Sequence, residues 1–195
     1  SPGLALIAAL DAVVTGAITF TGGGGTLTLS GTAAEIDTLV AAAQAGTVTL
    51  PADFDVTFTT AASIAQISAV DGLTSGTVTL DAAGITDTAA NLVANAGDYV
   101  AGAVNVTVSD AATIQQLTAI DGYTTGTVTA SGGISDTYAN VVVDAGSLSS
   151  GVAVTLTDTV SYNQFGVIDG LNAGGAVSFA SGTVTNADIT GTLSG

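Results

Sequence analysis

Fifteen aspartates and Glu35 are the only side chains in this chain that are charged at neutral pH. The 195 residues include no Lys, Arg, His or Cys. The chemistry open to the chain is therefore that of carboxylates and hydroxyls. General-base, thiolate and Schiff-base catalysis lose their usual groups, and a Ser-His-Asp triad is excluded. A pair of carboxylates would still suffice for glycoside hydrolysis. The acids, however, recur along the chain. Asp71, Asp121 and Asp169 each precede Gly in an Ile/Val-Asp-Gly turn, and Asp87 and Asp136 each precede Thr. A catalytic pair is ordinarily unique, whereas recurring acids serve as caps and turn residues. We expect no enzyme, no catalytic residue and no organic cofactor.

Carboxylate and carbonyl oxygens are hard ligands, so calcium is the one metal that suits the chain. Weak calcium contact is assigned to Asp71, Asp121 and Asp169. The competing expectation for these turns is the end of a helix with its Gly in a left-handed conformation. No EF-hand loop and no Gly-Gly-x-Gly-x-Asp nonapeptide is present. Gly22–Gly25 lacks the Gly-Lys-Ser/Thr of a phosphate loop. Asn105-Val106-Thr107 matches a glycosylation acceptor but falls in a predicted strand.

The formal charge of −16 at pH 7 excludes further functions. Nucleic-acid binding requires cations that replace phosphate counterions, and a polybasic membrane contact requires them equally. Self-repulsion and an affinity for cations remain. The lack of Lys and Arg also removes every site for trypsin-like proteases. No apolar run reaches membrane-spanning length, so no membrane insertion is expected. The opening Ser1-Pro2-Gly3 carries neither Met nor a basic segment and reads as a processed or excised start.

Internal repeats organise the chain. Thr60-Ala61-Ala62-Ser63-Ile64-Ala65-Gln66-Ile67 runs on to Asp71-Gly72. Asp110-Ala111-Ala112-Thr113-Ile114-Gln115-Gln116-Leu117 and Asp158-Thr159-Val160-Ser161-Tyr162-Asn163-Gln164-Phe165 align with it at spacings of 50 and 48 residues. A second type, Asp87-Thr88-Ala89-Ala90-Asn91-Leu92, recurs 49 residues later as Asp136-Thr137-Tyr138-Ala139-Asn140-Val141. The unit is thus about half that length, in two alternating kinds. An Asp or Thr opens each helix as N-cap. Apolar residues then follow at helical spacing: Ile64, Ile67, Val70; Ile114, Leu117, Ile120; Tyr162, Phe165, Ile168. Further helices are expected at Leu4–Val14 and Thr32–Gly46.

A short strand follows each turn: Thr47–Leu50, Thr77–Leu80, Val104–Val108, Thr127–Ala130, Val152–Leu156 and Ala176–Phe179. Ala17–Phe20, Gly182–Thr185 and Ile189–Leu193 are strand-like, and Thr21–Thr26 and Pro51–Asp55 read as loops or a local hairpin. Strand–helix–strand at this period implies parallel pairing through a right-handed crossover. The expected fold class is α/β. It is a right-handed β/α solenoid with parallel strands on one side, short helices on the other and about 24 residues per coil, forming a single domain over residues 1–195. Alternation turns Thr47, Thr49, Thr57, Thr59, Thr77, Thr79, Thr107, Thr127, Thr129 and Thr155 outward. That face is expected to be flat, Thr-rich and nearly uncharged, either a plain solvated surface or a surface for docking.

The segments Asp110–Asp121 and Asp87–Leu92 resemble repeats of very large surface-associated proteins of marine cyanobacteria, often labelled hemolysin-type calcium-binding. The resemblance covers most of residues 56–175. It implies secretion and a structural role at the cell surface. The expected function is an extracellular structural protein that assembles head to tail with itself into a filament or surface layer. The alternatives are a monomeric repeat segment of a large surface adhesin, and an ice-binding protein that uses its Thr ladder.

Overall fold

The computed structural model describes residues 4–20, 26–143, 151–172, 174–180 and 189–190. In chain order the elements begin α1 (Leu4–Asp11), β1 (Ile18–Thr19), β2 (Thr28–Gly31), α2 (Ala33–Gln44), β3 (Val48–Thr49) and β4 (Asp55–Phe58). There follow α3 (Ile64–Asp71), β5 (Val78–Thr79), β6 (Ile85–Asp87), α4 (Ala89–Ala94), β7 (Val106–Val108), α5 (Ile114–Asp121) and β8 (Val128–Ala130). The last are β9 (Ile134–Asp136), α6 (Tyr138–Val143), β10 (Val154–Leu156), β11 (Val160–Ser161), α7 (Tyr162–Leu171), β12 (Val177–Phe179) and β13 (Ile189–Thr190). The chain is α/β, with parallel strands in several small sheets. It divides into two compact units: Ser1–Thr86 with Asn95–Val106, and Asp87–Ala94 with Thr107–Gly195.

In the first unit β1 pairs with β3, and β2, β4 and β5 lie side by side, all parallel. Leu29 stands opposite Val56, and Val56 opposite Val78. Parallel neighbours so close in sequence need a crossover between them, and α3 supplies it from β4 to β5. Leu29, Val56 and Phe58 turn one strand face into the core. α1 packs on α2 and α2 on α3. Ile64, Ile67 and Val70 of α3 are all buried, as their helical spacing requires.

The second unit repeats the scheme. β10 lies between β9 and β12, with Val154 opposite both Ile134 and Val177. β11 pairs with β13, α4 packs on α5, and α6 on α7. Ile114, Leu117 and Ile120 are buried. The matching stripe of α7 differs from expectation: Ile168 is buried, Phe165 is half-buried, and Tyr162 is 49% exposed. Phe165 stacks on Phe179 with ring centroids 5.9 Å apart.

Three details differ from the sequence reading. The expected strands are shorter by one or two residues, and a further short strand precedes most helices (β2, β4, β6, β9, β11). Pro51–Asp55, read as a loop, leads into β4. These strands span two to four residues and several carry Asp or Gly, so alternation marks only β4, through Thr57 and Thr59. The helices that open Ile64, Ile114 and Tyr162 are capped by Ser63, Thr113 and Ser161, not by the Thr or Asp that begins each repeat. Each cap forms a capping box with Gln66, Gln116 or Gln164. Finally, Gly72 and Gly122 are right-handed (φ −70° and −66°), and Gly170 lies inside α7. The expected left-handed glycine turn is therefore absent at all three Asp-Gly steps. Gly22–Gly25, Gly182–Thr185 and the residues after Thr190 lie outside the described residues.

Candidate functional site

Thr49, Thr57, Thr79, Thr107, Thr129 and Thr155 lie one in each of six strands, whereas Thr47, Thr59, Thr77 and Thr127 flank strand ends. In the first unit the register sets Ser30, Thr57 and Thr79 in one row across β2, β4 and β5, and Thr19 beside Thr49 across β1 and β3. In the second unit Ser135, Thr155 and Ser178 form a row across β9, β10 and β12. Neighbours in such rows lie about 4.8 Å apart. The hydroxyls of Thr155 and Ser178 are hydrogen-bonded at 3.0 Å. Alternation already turns Ser178 outward, whereas Ser30 and Ser135 escape it, and only strand register reveals them.

The remaining predicted positions do not extend these rows evenly. Thr47, Thr49, Thr59, Thr77, Thr79, Thr127 and Thr129 are exposed, whereas Thr57, Thr107 and Thr155 are half-buried. Thr47 donates its hydroxyl to the Ala42 carbonyl (3.1 Å) and to Asp11 (3.2 Å). Beside Thr77 stands Asp55, whose Oδ1 accepts the Thr77 amide at 2.7 Å. A carboxylate thus interrupts the expected uncharged surface.

Asp71 and Asp121 end α3 and α5, and Asp169 lies in the last turn of α7; all three are exposed. Among the described residues no group of three or more Asp or Glu side chains is placed to hold a metal ion. Asp71 instead accepts the Tyr99 hydroxyl at 3.1 Å. Burial raises the Tyr99 phenol above its ordinary pKa, with a contribution from the Asp71 charge.

A second set of acids is more deeply engaged. The Asp110 carboxylate accepts the amide of Ala89 at 2.7 Å, Asp136 that of Ile114 at 3.0 Å, and Asp158 that of Tyr138 at 2.8 Å. In the first unit the Thr60 hydroxyl accepts the amide of Ala33 at 3.0 Å. Each acceptor meets the first residue of a helix that begins 20 to 27 residues earlier in the chain, where backbone N–H groups lack intrahelical partners and the dipole favours negative charge. Asp136 is only 7% exposed and also accepts the amide of Thr137 and the side-chain amide of Asn140, both at 2.8 Å. Asp87 does the same with Thr88 (2.8 Å) and Asn91 (2.7 Å). In a chain without side-chain cations, oriented N–H groups offset the buried carboxylates. The sequence marks Asp87, Asp110, Asp136 and Asp158 as caps of their own helices; the structure ties three of them to another helix.

No family model, curated protein or solved structure matches this chain. The functional reading therefore stands on the residues alone.

Glu35 supplies a pH prediction. Its carboxylate accepts the amide (2.8 Å) and hydroxyl (3.0 Å) of Thr32 in the capping box of α2, and these bonds lower its pKa from the ordinary value. A carboxylate depressed in the folded state stabilises the fold above its unfolded pKa. That contribution is lost as pH falls through the folded value. Glu35→Gln keeps the box in the form that α3, α5 and α7 use, without the titration. Urea midpoints of the two proteins, followed from neutral pH to about pH 3, should converge as the acid side is entered. A constant difference would assign no such role to Glu35.

Proposed function

We propose that this chain is a non-catalytic structural protein of the extracellular space or cell surface, made of right-handed β/α coils of about 24 residues that assemble head to tail into a filament or layer. The observation that carries this reading is the capture of a helix's first amide by the following coil, at Ala33–Thr60, Ala89–Asp110, Ile114–Asp136 and Tyr138–Asp158. A coil of this kind is completed by the next one, and a coil of a second copy offers the same acceptor. The lack of His, Cys, Lys and Arg, which removes most catalytic chemistry, supports the same reading. Contacts between copies must be apolar, backbone-mediated or bridged by cations, because two chains of charge −16 repel. Calcium at Asp71, Asp121 or Asp169 is one such bridge.

Electron microscopy and sedimentation of the purified chain over a range of concentrations test the proposal. Concentration-dependent linear assemblies are expected, and a monomer at every concentration would overturn it. A stable monomer is the outcome expected of an adhesin segment, to which the resemblance to large surface proteins points. The hydroxyl rows favour a second reading, ice binding. It demands thermal hysteresis that disappears when Thr77 or Thr127 is replaced by a bulky charged residue.

A further inference from the structure

In the first unit, residues 95–104 follow a path that costs backbone energy. Asn95 and Asp98 both have positive φ (41° and 55°), as do Gly97 and Gly102. Non-glycine residues rarely adopt this region, and such strain persists only where the surroundings impose it. Here the buried Asn95 side chain imposes it: Oδ1 accepts the amide of Val100 at 2.9 Å and Nδ2 donates to its carbonyl at 3.1 Å. Tyr99 is thereby laid against Gly97, where an added Cβ would strike the ring. From there its hydroxyl reaches Asp71, twenty-eight residues earlier in the chain.

A cleft of about 450 Å³ opens at this pair. Its walls are aliphatic, from Ile67, Val78, Leu80 and Val104, and its polar groups are the Asp71 carboxylate, the Tyr99 phenol and the Thr79 hydroxyl. Apolar walls with a few convergent polar groups, in this size range, are the usual form of a small-ligand site.

We propose that this cleft binds a small aliphatic ammonium ion, with Asp71 as its counter-ion and the aliphatic walls around its carbon chain. Three observations select this class. A chain of charge −16 disfavours anions. Asp71 is the one charged group in the cleft, and no side-chain cation exists anywhere in the chain to neutralise it. Asp71 is also the last residue of α3, where the helix dipole opposes a carboxylate, and a bound cation relieves that opposition. Tyr99 orients the carboxylate, and its raised pKa keeps the phenol a donor.

The test is an NMR titration of the intact chain with n-butylammonium chloride, with ionic strength held constant by sodium chloride. Saturable shifts confined to residues around the cleft are expected. Asp71→Asn should weaken binding about tenfold, which corresponds to about 1.4 kcal/mol. The Asn carbonyl still accepts from Tyr99, so the loop is retained. n-Butanol, which has the same carbon chain without the charge, should bind at least about tenfold more weakly. Equal binding of Asp71→Asn or of n-butanol would overturn the proposal. So would non-saturating shifts spread over all the acidic residues, the sign of general counterion attraction.

Discussion

Asp136→Ala is expected to lower the unfolding free energy of the chain by about 3 kcal/mol. The carboxylate lies buried in the second unit and receives three donors: the amides of Ile114 and Thr137 and the side chain of Asn140. Alanine removes all three acceptors at once. The Ile114 amide suffers most, since it opens α5 among buried residues. A buried donor left without a partner costs about 1–3 kcal/mol, and water reaching Thr137 and Asn140 recovers part of the loss. Asp121→Ala, an exposed acid, should remain within about 0.5 kcal/mol of the parent. Urea denaturation with an unchanged slope would read both values. If the two variants proved alike, the Asp136 bonds would be incidental and the capture of the Ile114 amide would lose its energetic basis.

Gly84→Ala should be comparably damaging, at about 3 kcal/mol, for a reason held entirely in the backbone. Gly84 has φ +68°, and a Cβ there would run into the carbonyl of Asn105. That carbonyl accepts the amide of Ile85 at 2.9 Å, and the Gly84 carbonyl accepts that of Ala62 at 3.2 Å. Relief of the clash separates β6 from the Asn105 backbone and weakens both bonds. Gly133 occupies the matching turn of the second unit, with φ +89° and its own Cβ position 2.7 Å from the Ala153 carbonyl. Gly102→Ala is the control. Its φ is +57° but nothing lies within 4 Å, so only the conformational cost of about 1 kcal/mol applies. Equal effects at Gly84 and Gly102 would show that close approach of the backbones is unimportant.

Both predictions concern bonds between residues about twenty apart in the chain, and this separates what was legible in the sequence from what was not. Helix phase was legible at Ile64, Ile67 and Val70, because burial of one helix face writes a 3.6-residue period directly into residue type. The same holds for Val56, Val106 and Val154, which turn inward from strands whose Thr neighbours face out or are half-buried. The lack of imidazole, thiol and amine side chains was also a property of the sequence, since no fold supplies a missing group. Tertiary structure alone decided which helix Asp136 serves. Its side chain reaches Thr137 and Asn140 at the start of the helix that follows it, and strand register also places it against Ile114 of the preceding one. It also decided that Ser30, Thr57 and Thr79 share a row, and that Tyr99 meets Asp71. Parallel register and a loop held at positive φ depend on contacts between distant segments, and residue type at any single position does not encode them.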